Sequence, residues 1–392
     1  MQVTGGKKKD FASARLRGVP GVVLVFLTWV IFLLSFSFFT YVLAQAYKLG
    51  PGHISAGEFF RSLIRYDAAY YLDIARHGYA ASLPLGGREI YVSTAFWPLY
   101  PLLIRTFATL TAGNHIAASL AAAWLSLLLA LVYLYKLARL SSDDETSLRS
   151  CLFALLFPTA CFLFFPYAEP VFLLCAVASL YHARRSSWIL SGMWGFLACL
   201  ARPVGLAVCV ALVVEALQQS GWKPARLRPR MAAVLVAPLG LVSYLVYLRW
   251  RFGDFFYFAT AHREGWRTGF NPWSLFSAVK HLFAPERLSE FVRYAYLLFF
   301  FLLFAVLLVP AFRKLRLSLA VYGTLCLLIS AFFTSSDLPL QSMNRHVIVI
   351  FPAFLILGSW GGNRDFERFY IFAGTLGLAT FTAVYLLNFF SG

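Results

Sequence analysis

Asp67, Asp73 and His77 fall within eleven residues of one another, in a segment (65–79) that also carries Tyr66, Tyr70, Tyr71 and Tyr79. Wound as an α-helix at about 100° per residue, Asp67–His77 sets Asp67, Tyr70, Tyr71, Asp73, Ile74 and His77 on one arc. Ala68, Leu72 and Ala75 form a separate apolar stripe, and Gly78 is the expected C-cap. Such a helix lies in a membrane interface, stripe in lipid and polar face over a cavity. The bland alternative is an interfacial anchor with ordinary belt tyrosines. An aspartate at a membrane boundary is costly unless solvated or paired, which favours function at Asp67.

Five further positions carry charge or imidazole that could serve a site. Glu169 sits between two apolar runs, flanked by Tyr167 and Pro170, either at a watery turn or lining a pocket. Arg202 lies midway in an apolar run of about thirty residues, and a buried guanidinium needs an anion. That anion is either Glu169 or a ligand phosphate. Arg345 and His346 either hold a phosphate by charge-assisted hydrogen bonds or snorkel to lipid headgroups. His262, in Ala261–Trp266, either binds a sugar or lies on the surface.

The elements that position these groups are membrane helices. Of 392 residues 60% are hydrophobic and 13% charged, about half the charge of a soluble domain. Apolar runs long enough to span recur from residue 20 to the C-terminus. They are expected near 20–47, 115–135, 151–166, 169–183, 187–200, 203–217, 231–248, 294–312, 317–333, 347–362 and 369–389. The expectation is one polytopic all-α domain over 1–392, with about eleven spans and interfacial helices in the first external loop. A basic tail occupies 1–19, and the two long polar stretches are 48–95 and 249–293. The 151–217 spans are short and break at Tyr167–Pro170 and at Arg202–Pro203, and broken helices line cavities more often than they face lipid. Segment 96–112, with Pro98, Pro101 and Arg105, either lies along the interface or dips in.

Charge excludes one class and orients the rest. The net charge is +17, but its basic residues are scattered with no basic stripe or nucleic-acid reader motif, so nucleic acid is excluded as a partner. If 96–112 does not cross, fourteen basic residues between Lys136 and Arg368 fall on one side against Arg202 and Arg345 on the other. The positive-inside rule makes the rich side cytoplasmic, together with the N-terminus. Loops 48–95 and 249–293, Glu169, Arg202 and the turn 337–346 then share the non-cytoplasmic face. The apolar region 19–47 is about twice too long for a signal peptide and reads as an uncleaved first span. The six cysteines lie in apolar segments without metal spacing and read as small core residues. No Walker loop, H-E-x-x-H, G-x-S-x-G or D-x-D pair is present. Without a nucleotide signature and with an external site, the donor is expected in the membrane.

The segment Arg65–Tyr79, followed by Ala95–Arg105 with Phe96, Trp97, Pro98, Tyr100 and Pro101, resembles the opening signature of the PIG-V family, the mannosyltransferases that add the second mannose of GPI anchors, and their prokaryotic relatives. Phe157–Ala160, Tyr167–Phe172, Ala201–Gly205 and Asn344–His346 before Phe351–Pro352 are similar to its later elements. Tyr66 stands where the family has tryptophan, and His262 where glutamine is expected. The resemblance implies a GT-C fold and an inverting transfer of mannose from polyprenyl- or dolichyl-phosphate mannose on the non-cytoplasmic face. It implies Asp67 as catalytic base. The base would take the acceptor proton, and Arg202, Arg345 and His346 would meet the departing phosphate. Tyr70, Tyr71, Asp73, His77, Glu169 and His262 are the candidate substrate-binding residues. No metal or cofactor is expected, and the acceptor is a glycolipid, glycan or protein. The rival reading is a transporter or lipid flippase, which the missing internal repeat and one-sided ionisable groups disfavour.

Overall fold

The structure is a computed structural model that describes residues 18–47, 54–85, 88–335 and 337–389. The expected basic tail, apart from its last two residues, lies outside them. The first part of the chain forms α1 (Gly18–Ala46), α2 (Ala56–Ser62), α3 (Asp67–His77), the hairpin β1 (Leu83–Leu85) and β2 (Arg88–Ile90), and α4 (Leu99–Leu110). Then come α5 (His115–Ala138), α6 (Asp144–Leu155), α7 (Glu169–Arg184), α8 (Trp188–Ala201), α9 (Leu206–Gln219) and α10 (Leu239–Phe252). The last part runs β3 (Thr268–Phe270), α11 (Ser274–Phe283), α12 (Leu288–Lys314), α13 (Leu317–Phe332), β4 (Phe333–Ser335), α14 (Met343–His346), α15 (Phe351–Trp360) and α16 (Arg364–Leu386).

Five helices among the described residues are long and apolar enough to span: Gly18–Ala46, His115–Ala138, Pro229–Phe252, Leu288–Lys314 and Arg364–Leu386. A sixth is formed if Met343–Val349 and Phe351–Trp360, bent by 74°, count as one. The other expected spans fall on shorter helices, among them α7, α8, α9 and α13. The protein is an integral membrane protein built almost wholly of helix. Segment 96–112 becomes α4, twelve residues and about 18 Å long, too short for a hydrocarbon core of about 30 Å.

The core centres on α7, which is apolar on every side and buried on every side. It packs between α5 and α8. Close backbone approach is needed where Pro229–Phe252 crosses α8. A Cβ on Gly240 would stand 2.0 Å from the Phe196 carbonyl oxygen, and one on Gly192 2.1 Å from that of Ala233. Small residues at such crossings are how helices associate where lipid supplies no hydrophobic drive.

Helix α3 forms over the expected residues and ends at Gly78, whose φ of 77° suits glycine. Its expected face is corrected in two ways. The stripe of Ala68, Leu72 and Ala75 is buried in protein rather than in lipid, because α4 and α5 fold over it. Tyr71 and Ile74 also belong to the buried side, Tyr71 edge-on to both Phe96 and Tyr100 at 5.2 Å.

Candidate active site

Each charged group of the site stands at a helix end or break. Asp67 is the first residue of α3, where the helix dipole favours a carboxylate. Tyr66 before it has φ 52° and ψ −126°, a costly conformation for a residue with a Cβ. That turn is braced from two sides. The Tyr167 hydroxyl donates to the Arg65 carbonyl at 3.2 Å, and the Tyr385 hydroxyl reaches those of Leu63 (3.2 Å) and Arg65 (3.3 Å). Tyr385 is itself locked by stacking on Phe165 at 3.8 Å.

Glu169 opens α7, with Pro170 next, where a missing N–H costs nothing. Arg202 occupies the single extended residue (φ −158°, ψ 152°) between α8 and the turn Pro203–Gly205. Gly205 makes that turn possible, since a Cβ there would sit 2.6 Å from the Cys199 Cα. Arg345 lies in α14, a single turn entered through Leu340 (φ 57°) and Ser342 (φ 59°) just before the 74° bend.

These elements bring four charges into one chain of contacts. Arg345 Nη1 donates to Asp67 Oδ2 at 2.5 Å, and its Nε lies 3.2 Å from Glu169 Oε1. Arg202 Nη1 lies 2.5 Å from the same Glu169 oxygen. The Arg345 guanidinium also sits 5.3 Å over the Tyr167 ring. Two carboxylates thus neutralise two guanidiniums. Glu169 is closed off at 2% side-chain exposure, while Asp67 keeps 25%. Glu169 is therefore the partner of Arg202 that the sequence allowed, and it serves Arg345 as well.

Next to this cluster hydrogen-bonding capacity goes unused. The Asn344 side chain is fully buried, yet neither its amide nitrogen nor its oxygen has a hydrogen-bond partner among the described residues, and the same holds for His346 Nδ1. Buried polar atoms without partners cost free energy, and their clustering on one turn marks a place built for something else.

An aromatic wall borders Asp67. Tyr70, one turn along α3, stacks on Phe96 at 4.8 Å, and Trp266 meets Tyr70 edge-on at 5.1 Å. Burial and the Asp67 charge raise the Tyr70 pKa. His262 completes the wall: its Nδ1 is 2.8 Å from Thr268 Oγ1. Burial lowers its pKa, opposed by the Asp67 charge. Asp73 and His77 are not brought to the cluster; they pair with each other at 2.7 Å on the exposed side of α3. A groove of 360 Å³ lies at the other end of α3, lined by Ile74, Tyr79, Pro101, Arg105, Tyr244 and Tyr247. No three His, Cys, Asp or Glu side chains gather in a metal-holding group among the described residues.

Sequence reasoning passed over Phe96, Asn344 and Tyr385 as site residues, and reached Trp266 only as part of the segment 261–266 that could bind a sugar. Tyr385 carried a usable signal, a phenol in an apolar run whose hydroxyl had to find a partner.

In fold the chain is similar to ArnT from Cupriavidus metallidurans, solved with undecaprenyl phosphate bound, with a TM-score of 0.52 and 14% identity over 92% of this chain and 77% of that one. The Archaeoglobus fulgidus oligosaccharyltransferase is a more distant likeness, with a TM-score of 0.41 and 14% identity over 81% of this chain and 47% of that one. The architecture is that of the GT-C membrane glycosyltransferases. No curated protein matches the sequence. The profile of the PIG-V mannosyltransferases matches residues 53–277, from before α3 into α11, and the chain belongs to that family.

Proposed function

We propose that this mannosyltransferase takes mannose from a polyprenyl- or dolichyl-phosphate mannose and transfers it, with inversion, to an acceptor hydroxyl on the non-cytoplasmic face. The observation that carries the reading is the contact between Asp67 and Arg345 at 2.5 Å, inside a cluster that also holds Arg202 and Glu169. Asp67 is the base. The acceptor oxygen bonds to the anomeric carbon from the side opposite the phosphate, and the hydroxyl proton passes to Asp67. The bond from that carbon to the phosphate oxygen breaks, and its electron pair stays on the phosphate. Arg345, Arg202 and His346 meet the charge that develops there.

The pairing with Asp67 fits this sequence of events. A phosphate arriving at Arg345 offers the guanidinium a matching anion, and each N–H turned toward it is withdrawn from Asp67. Glu169 keeps hold of Arg202 and of Arg345 Nε throughout, so it acts as a counter-ion rather than touching the sugar. Tyr70, Trp266 and His262 form the wall against which the hexose lies. ArnT, the fold relative, was solved with an undecaprenyl phosphate, the class of carrier invoked here. No metal is required by this scheme, because fixed cations meet the single phosphate.

Incubation of the purified protein with defined lipid-phosphate sugars and acceptor lipid extracts, followed by mass analysis, tests the reaction. A product heavier by one hexose is expected only with the mannose donor. Asp67→Asn should lose about 10²- to 10⁴-fold in turnover, the usual share of a general base, with its melting temperature in detergent unchanged. Full activity in that variant removes Asp67 from the mechanism.

A further inference from the structure

The second loop ends in a helix that packs Leu275 and Leu282 on the core yet carries large apolar side chains on its outer face as well. Helix α11 turns Ser274 and Ala278 inward and leaves Phe276 (68% exposed), Val279 and Phe283 (82%) outside, with Trp273 (70%) just ahead of them. At about 100° per residue these four large side chains share an arc of about 120°. A helix facing water buries such side chains and shows its small and polar ones. The neighbouring strand pair extends the surface. Phe270 of β3 lies opposite Phe333 of β4 in antiparallel register, their rings 5.6 Å apart, and both are exposed.

An apolar face of this extent marks a contact with protein, ligand or lipid. Continuity selects lipid. Helix α11 packs on α12, a span whose own outward side chains Phe291, Phe299 and Val306 are exposed along its length. Lys280 stands on the same arc as the aromatics, where its stem can lie along them and its ammonium can reach a headgroup phosphate.

We propose that α11, with Phe270 and Phe333 beside it, is a monotopic anchor buried in the lipid leaflet on the Asp67 side of the protein, separate from the spans. The anchor is tied to the site. Thr268 in β3 holds His262, and Trp266 two residues earlier meets Tyr70, one turn from Asp67. The leaflet therefore sets the height of the wall that borders the reacting groups. This placement does not depend on which sugar or acceptor the enzyme uses.

Nitroxide labels at Phe276→Cys and, in a separate protein, Phe283→Cys test it in vesicles of phosphatidylcholine and phosphatidylglycerol. Asp254→Cys, at an exposed loop position, gives the aqueous reference, and the unsubstituted protein gives the background from its native cysteines. Both patch labels should be relaxed more by dissolved oxygen than by a water-soluble nickel chelate, the reverse of the Asp254 label. Nickel access at both positions equal to that of the reference overturns the anchor. So does spin–spin broadening between copies, which would assign the face to a second chain. Two positions keep the test decisive if one substitution prevents folding.

Discussion

Two clusters of carboxylate and guanidinium stand at the two ends of α9, one around Arg202 and one around Glu215, and they are treated in opposite ways. Glu215, in the last turn, is fully enclosed and its oxygens are saturated: Gln219 Nε2 donates at 2.9 Å, Arg316 Nη2 at 3.0 Å and Ser318 Oγ at 2.6 Å, with Arg184 Nε at 4.0 Å. Those donors come from α7, α9, the entry to α13 and its first turn, so the cluster pins three helices together. The cluster before the first turn of α9 has the same currency of carboxylate and guanidinium, yet it is left partly open at Asp67 and unsatisfied at Asn344 and His346. A carboxylate whose oxygens are saturated specifies structure, while a partly open one beside unsatisfied buried groups marks where a ligand completes the cluster.

Substitutions at the two ends should therefore fail differently. Loss of activity without loss of stability is the expectation for Asp67→Asn. Glu215→Ala should do the converse, because it strands Arg184 and the Ser318 hydroxyl in the core and takes the anion from Arg316. Breaking such a pair costs about 3–5 kcal/mol, at the lower end here because Arg316 reaches solvent. Thermal melting in detergent should show the drop, with turnover per folded molecule close to that of the parent. Equal loss of activity at constant stability would place Glu215 in the chemistry and dissolve the contrast. A milder break is Arg345→Lys. A point ammonium cannot serve Asp67, Glu169 and a phosphate as a planar fork does. Turnover should fall by about 10- to 100-fold, equivalent to one or two charge-assisted hydrogen bonds, with the Michaelis constant for the lipid donor raised. An unchanged constant would argue against phosphate contact at that position.

What could be read in advance followed the range of the interactions. Helix α3 and its glycine stop were legible because periodicity and capping are local signals. The partnership of Glu169 with Arg202 was legible as one of two options, since a guanidinium deep in an apolar run must find an anion. The contact of Arg345 with Asp67 was not, because 278 positions separate the two residues and the bend after α14 decides where the arginine points. Tyr71 was misplaced because a phenol counts as polar in a helical projection, although its ring is mostly apolar surface. Glu215 sat in the expected span 203–217 and was passed over. An acid inside a span needs a partner, but its partners lie about a hundred residues away.

The smallest expected effect concerns the wall rather than the charges, and pH reads it. Burial holds His262 neutral, with its pKa below the usual value, while in the unfolded chain it titrates near 6.5. Below that pH the unfolded state binds a proton that the folded state refuses. The stability from the neutral ring is thus complete above about pH 6.5 and is lost as the pH falls toward the lowered folded value. The loss is small, because the ring is only partly enclosed. His262→Gln keeps a hydrogen-bonding side chain beside Thr268 and removes the titration. Melting temperatures from pH 7.5 to 5 should fall less steeply in the variant than in the parent. Parallel curves would mean that the ring protonates freely in the folded protein, and that the wall beside Asp67 is wetter than its contact with Thr268 implies.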